Sequence, residues 1–300
     1  MRGAVLIRNG RDSTKIRRKR GMRLPGIVRI IRPVNAVVAG LAAILGYGIA
    51  AGNLVTGTIL LFSAVFLITA GGNSINDYFD ADIDQINRPD RPIPSGEVIP
   101  GMAWNISFAL FSCGILIAVF TNPVCFGIAV FNTLLLVLYA ARLKRTLVAG
   151  NLAVSYLSAS IFLFGGAYLG NEGIIRILPV VLVTFFAMLS REILKTAEDV
   201  EGDAASGADT VPVRYGVRSA VLLSAVFALC AVAGSIYPVL WWGNWYLGGI
   251  LIVDSVIIFA AVRPVSCTDS RCIRESGATT LLKAGMFGSL VVFTLAALFA

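Results

Sequence analysis

The chain has 300 residues, 57% of them hydrophobic and only 14% charged, with a mean hydropathy of +0.82. That excludes an ordinary soluble domain and points to a polytopic membrane protein whose core is built between spans. The net charge is +8 and histidine is absent, so His-ligated haem, His-ligated zinc and every His-based catalytic triad are excluded.

The first 32 positions carry 11 of the 25 Lys and Arg residues, among them Arg17, Arg18, Lys19 and Arg20. No apolar run follows directly, so the segment does not read as a signal peptide. Residues 1–24 read as a disordered basic tail at an anionic lipid surface, or as an extension ahead of a true start at Met22. Residues 25–300 read as one helical membrane domain. Nine apolar stretches are long enough to span: about 30–51, 54–76, 102–121, 124–141, 150–169, 176–198, 218–239, 245–262 and 280–300. Gly, Pro and Asn mark the short connections, as at Gly52-Asn53, Asn122-Pro123, Gly170-Asn171 and Gly243-Asn244. With the tail inside, 24 of the 25 basic residues fall on inside segments and only Arg176 falls outside, which sets the N-terminus in the cytoplasm and the C-terminus outside. The five cysteines contain no Cys-x-x-Cys pair and read as small apolar residues with free thiols, Cys267 and Cys272 included.

Two acidic clusters interrupt this apolar background. The first runs Asn76-Asp-Tyr-Phe-Asp80-Ala-Asp-Ile-Asp84, and the second is Glu198-Asp199-Val-Glu-Gly-Asp203. Residues 77–97 hold six acids and two bases, and residues 191–209 hold the same, so each segment is at −4. The alternation of spans brings both to the inner side, at the ends of spans 2 and 6. Asn76, Asp80 and Asp84 are spaced i, i+4, i+8, and Asp199 and Asp203 are spaced i, i+4, so on continuous helices each set shares a face. Two such loops repel unless cations intervene. Oxygen-only donors favour a hard ion, Mg²⁺ first, which binds through one or two carboxylates per ion with phosphate and water completing its shell. Arg88 and Arg91 follow in a stiff loop with three prolines, and Tyr139, Arg142, Lys144 and Arg145 follow span 4. Metal-binding acids beside Arg and Lys have the composition of a diphosphate site.

These residues resemble the signatures of the UbiA superfamily of intramembrane prenyltransferases. Asn76-Asp-x-x-Asp80-x-x-x-Asp84 with Arg91-Pro-x-Pro-Ser-Gly96 is similar to its first motif. Asp199-Val-Glu-Gly-Asp203, followed by Thr210-Val-Pro212 and Gly216, is similar to its second. Tyr139 with Lys144-Arg145 matches its basic stretch. The likeness runs from about Arg32 to the C-terminus. It implies a nine-helix bundle with a cytoplasmic cap made by loops 2–3 and 6–7. It also implies Mg²⁺ held by Asn76, Asp80, Asp84, Asp199 and Asp203, and a prenyl diphosphate met by Arg88, Arg91, Tyr139 and Lys144. The wording is nearest the archaeal ether-lipid branch, which implies geranylgeranyl transfer to the C2 hydroxyl of a prenylglyceryl phosphate. Arg32, Lys195 and Arg145 are then candidates for the acceptor, with Arg214 and Arg218 also available. Val200-Glu-Gly-Asp203 is shared with the chlorophyll-synthase branch, so an aromatic, quinone-precursor or chlorophyllide acceptor stays open.

The partners expected are therefore a prenyl diphosphate, a lipophilic hydroxyl acceptor and the bilayer, with no nucleic acid and no obligate protein partner. A cation-coupled transporter is the competing class, because carboxylates near a membrane often mark ion paths. It calls for acids at span centres, and only Asp254 lies at one, where it is expected to pair with a polar neighbour. A CDP-alcohol phosphotransferase would need an Asp-Gly and Ala-Arg pattern whose companions Ala141-Arg142 lacks.

Overall fold

The computed structural model describes residues 25–299; the tail expected over residues 1–24 lies outside the described residues. Among the described residues all regular structure is helical, and nine segments are long and apolar enough to cross a membrane. The first span is broken in two. α1 (Gly26–Ile31) and α2 (Pro33–Ala51) meet at Arg32, whose φ of 48° makes it the only non-glycine residue among those described in the left-handed region. The other spans are α3 (Thr58–Phe79), α5 (Pro100–Val119), α6 (Pro123–Ala141), α7 (Ala149–Ala167), α8 (Asn171–Glu198), α11 (Val217–Ile236), α12 (Val239–Val262) and α14 (Ala278–Phe299).

The helix starts follow local chemistry. Pro100 and Pro123 sit in the first turns of α5 and α6, where a missing N–H costs nothing. The Asn122 side chain caps α6 by accepting from the Cys125 N–H at 2.9 Å. The break expected at Gly243-Asn244 is a kink: Gly243 is non-helical inside α12, and the turn between spans falls earlier, at Tyr237-Pro238.

Short helices fill the ends of the spans: α4 (Ala81–Asn87) after α3, α9 (Val200–Ala205) after α8, then α10 (Val211–Tyr215) and α13 (Ser270–Ser276). The two acidic clusters are built alike. Asp80 ends α3 with φ −90° and ψ −1°, and Asp199 ends α8 with φ −98° and ψ 8°. Each sits in the bridge region, yet the i→i−4 bonds run through both junctions, from the Asp84 N–H to the Asp80 carbonyl and from the Asp203 N–H to the Asp199 carbonyl. The i, i+4 spacing therefore survives the change of helix.

α3 packs on α5 and α2, α8 packs on α11 and α7, and α7 also lies against α2. Lipid offers no hydrophobic gain for bringing helices together, so close van der Waals approach at small residues does that work. A Cβ at Gly165 of α7 would overlap the Ala43 carbonyl oxygen of α2, and one at Gly166 would overlap Ile177 of α8. Asp254, the one acid deep in a span, is 3% exposed and accepts from the Ser235 hydroxyl at 2.7 Å, the polar pairing expected for it.

One sequence expectation is corrected. Cys267 and Cys272 are joined in a disulfide, with Cα atoms 5.5 Å apart. The physical reason is the Asp269 cap: its side chain accepts from the Cys272 N–H at 2.9 Å and starts α13, turning the loop back so that the two thiols meet.

Substituting Gly165 with Leu is expected to cost about 1–3 kcal/mol through overpacking of α7 on α2. Thermal unfolding of the detergent-solubilised protein checks this, and Gly127, which has open space at its Cβ position, serves as the silent control.

Candidate active site

Four crossings separate the end of α3 from the end of α8, so both acidic clusters lie on the same side of the bundle. The first cluster divides into two faces. Asp77 and Asp84 are seven residues apart, two turns along the helix, and both grip Arg91: Nη1 donates to Asp77 at 3.1 Å and to Asp84 Oδ2 at 2.6 Å. Arg32 donates to the same Asp77 oxygen. Asp77 is 3% exposed and Asp84 4%. Two carboxylates buried this far are tolerable only because guanidinium groups neutralise them.

On the other face, Asn76 Nδ2 donates to Asp80 Oδ2 at 2.9 Å, and Lys144 donates to Asp80 Oδ1. Lys144 comes from the 3₁₀ turn Leu143–Arg145 between α6 and α7, so this contact ties the end of the second span to the turn between the fourth and fifth. Arg145 belongs to that turn, and its side chain lies outside the described residues.

The Pro-rich loop is folded back by Arg91. Its carbonyl accepts from the Ser95 N–H at 2.9 Å, and the Val98 N–H donates to Pro92 at 3.0 Å, burying Val98 near Ile30 and Ala103. Arg29 ties this loop to α1 through Glu97 at 2.5 Å and the Asp90 carbonyl at 2.6 Å. Arg88 stays exposed on the rim of an open basic hollow that Arg29, Arg32 and Arg91 also line.

The second cluster is held from outside by α13. Ser270 donates to Glu201 at 2.7 Å, Thr279 of α14 to Glu198 at 2.8 Å, and Arg274 to the Glu198 carbonyl. Asp199 remains exposed and Asp203 half-buried. Burial and the neighbouring Asp199 charge push the Asp203 carboxyl above its usual range, opposed by the Thr210 hydroxyl and by Lys195. The donor chemistry here fits a divalent cation. Two crowded carboxylates repel each other, and a hard ion between oxygen donors relieves that repulsion. Among the described residues no three acids already converge as a ligand group, within either cluster or across the two.

A cavity of about 370 Å³ runs into the bundle between α3, α6 and α7. Asn76, Tyr139 and Arg32 line its polar end, and Val65, Ile68 and Phe164 its apolar depth. From Asn76 to Val65 is eleven helical residues, about 16 Å. Asn132 sits on its wall, donating to Ser160 at 2.9 Å. The structure thus brings together Asn76, Asp80, Lys144, Tyr139 and Arg32, and separately Asp84 with Arg91 and Lys195 with Asp203. Sequence reasoning missed Asp77 and Glu192 as members of the site. The seven-residue spacing of Asp77 and Asp84 was a usable signal; nothing local marked Glu192, whose carboxylate acts electrostatically on Tyr139 from α8.

The UbiA prenyltransferase family model matches residues 37–297. The chain belongs to that family. Over 278 residues it is 58% identical to a protein named digeranylgeranylglyceryl phosphate synthase in Methanoregula boonei, an alignment that covers 93% of this chain and 100% of the relative. A solved structure concerned with digeranylgeranylglyceryl phosphate synthase superposes with a TM-score of 0.83 at 32% identity, covering 92% of this chain and 98% of the other. A UbiA homologue from Archaeoglobus fulgidus, solved with GPP and Mg²⁺, shares the fold with a TM-score of 0.62 at 18% identity, covering 89% and 99%. The protein is a multi-pass membrane prenyltransferase.

Replacing Arg91 with Gln is expected to destabilise the protein by about 3–5 kcal/mol, because Asp77 and Asp84 would stay buried without their shared partner. Lys144→Gln removes one carboxylate contact where Arg91 makes two, and its partner Asp80 has a side chain 15% exposed against 4% for Asp77, so it is expected to cost less than the Arg91 change. Thermal unfolding of both variants in the same detergent separates the two roles.

Proposed function

We propose that this protein transfers a geranylgeranyl group from geranylgeranyl diphosphate to the C2 hydroxyl of geranylgeranylglyceryl phosphate, with Mg²⁺. The observation that carries this reading is the apolar cavity that ends on Asn76 and Tyr139 beside the Asp80–Lys144 pair. An isoprenoid tail fits its depth and a diphosphate fits its charged end. The name of the Methanoregula boonei relative supports the choice of acceptor, and the Mg²⁺ and GPP bound by the Archaeoglobus fulgidus homologue support the choice of ion and donor.

Asn76, Asp80 and Asp84 on one loop, with Asp199 and Asp203 on the other, would hold one or two Mg²⁺. When bound, the ion supplies positive charge to the leaving diphosphate. Lys144 and Arg91, which neutralise Asp80, Asp77 and Asp84 here, are also cations at hand for that diphosphate. Arg88 on the loop rim and the Tyr139 hydroxyl complete the set. Donors fixed in advance around developing negative charge are worth several kcal/mol. The C1–O bond of the donor breaks, the diphosphate leaves, and an ether bond forms to the acceptor oxygen as its hydroxyl proton departs. The apolar cavity wall keeps water from the allylic carbon. Arg32, Lys195 and Arg145 are the cations we assign toward the acceptor side of the site. The two short acidic segments form a cap on the cytoplasmic face, with the N-terminus inside and the C-terminus outside, by the distribution of basic residues.

Purified protein incubated with Mg²⁺, geranylgeranyl diphosphate and separate acceptors is expected to yield digeranylgeranylglyceryl phosphate by mass spectrometry. EDTA abolishes the product and added Mg²⁺ restores it. Asp80→Ala and Asp199→Ala are each expected to lower turnover by at least about a hundredfold, while the variants still extract and elute as folded protein. Prenylation of an aromatic or tetrapyrrole acceptor instead would replace the acceptor, and full activity in either variant would overturn the metal assignment.

A further inference from the structure

A second cavity, of about 320 Å³, lies on the other side of α7 between α2, α8 and α14. The two cavities share a wall, since Ser158 and Ile161 of α7 line both. The second runs parallel to the first. Its floor is apolar and buried, made by Phe162, Val180, Val183 and Phe293. Its flanks, Val38 of α2 and Phe287 of α14, are exposed on the lipid-facing side. From Arg191 to Val180 on α8 is eleven residues, and from Lys283 to Phe293 on α14 is ten, so the trough is about 15 Å deep.

Its polar end carries two cations. Lys283 and Arg191 both line it. Lys283 is exposed, pairs with no carboxylate among the described residues, and rests 6.0 Å from the centre of the Phe287 ring. Arg191 is half-buried; one terminal nitrogen donates to Glu192 at 2.5 Å, and its Nε is buried with no hydrogen-bond partner among the described residues. Glu192 also acts electrostatically on Tyr139 at the polar end of the first cavity. The two troughs therefore adjoin across α7, and Glu192, the hydrogen-bond partner of Arg191, acts electrostatically on the polar end of the first.

We infer that the trough between α2, α8 and α14 is the acceptor site, with the acceptor's isoprenoid chain along its floor and its phosphate between Lys283 and Arg191. The inference rests on the transferase reading above and adds Lys283 and Arg191, as the phosphate contacts, to the acceptor-side cations Arg32, Lys195 and Arg145. A reaction that joins two prenylated lipids needs two apolar troughs with their polar ends together, and α7 supplies that partition. A plain lysine at a membrane face would serve the topology equally well, so charge alone does not decide it. The pairing with Arg191, whose Nε lacks a partner, and the shared wall at Ser158 favour a phosphorylated lipid over bulk anionic lipid.

The test compares geranylgeranylglyceryl phosphate with geranylgeranylglycerol as acceptors, at saturating donor. Wild-type protein is expected to prefer the phosphorylated acceptor in kcat/KM. In Lys283→Gln and Arg191→Gln that preference falls by about tenfold or more each, mostly through KM, the size expected for a lost charged hydrogen bond. Lys283→Arg keeps it. A wild-type preference that both Gln variants retain overturns the inference while leaving the transferase reading standing. An equal fall in kcat for both acceptors, with the ratio intact, also overturns it, because that is the signature of a structural role. Transfer to neither acceptor by the wild-type protein overturns the transferase reading itself.

Discussion

A carboxylate near hydrocarbon must be neutralised, and the arrangement around Asp77 is built to meet that requirement. Asp77 is nearly inaccessible at the end of a membrane helix, and Arg32 and Arg91 both reach it. Arg32 does so from the junction of α1 and α2, in a left-handed conformation that costs an L-residue of its kind roughly 1 kcal/mol or more. Arg91 does so from the Pro-rich loop and takes Asp84 as well. One buried charge thus fixes the break in the first span, the end of the second and the fold of the loop between α4 and α5. Removing Arg91 would leave Asp84 without its partner and Asp77 with Arg32 alone.

The same constraint divides the acids of the first cluster between two sets of partners. Asp77 and Asp84 face the arginines, whereas Asp80 turns to Asn76 and Lys144 on the adjacent helix face. In the second cluster Asp199 and Asp203 stand close enough to raise the Asp203 carboxyl, while Glu198 and Glu201 are taken up by Thr279 and Ser270. Each loop therefore spends part of its acidity on its own folding and leaves the rest for a cation. The repeated junction, an aspartate in the bridge region between a long helix and a short one, is how both loops keep the i, i+4 register.

Helix α7 has the most consequential position for the chemistry. Its glycines let it lie against α2 and α8 at backbone distance, and its Ser158 and Ile161 form a thin partition between two apolar troughs. Larger residues on that helix would push the bundle apart or close one trough. Small side chains at this helix serve packing and substrate space at once.

Much of this was legible in the sequence. Hydropathy is a local property, so all nine spans stood out, with edges moved by a few residues and the Gly243 break found inside a helix rather than in a loop. The acidic clusters and their helical spacing were also local, and the motifs sufficed to indicate the family. The tertiary structure alone decided which charge meets which. Lys144 is 64 residues from Asp80, Arg32 is 45 from Asp77, and Arg274 is 76 from Glu198. It likewise decided the Cys267–Cys272 bond, which depends on a cap at Asp269, and the second trough, whose walls come from four separate spans. Sequence fixes what each helix is because backbone and lipid act on every residue where it stands. Ion pairs and cavities depend on how helices lean on one another, and that is settled only when the whole bundle has packed.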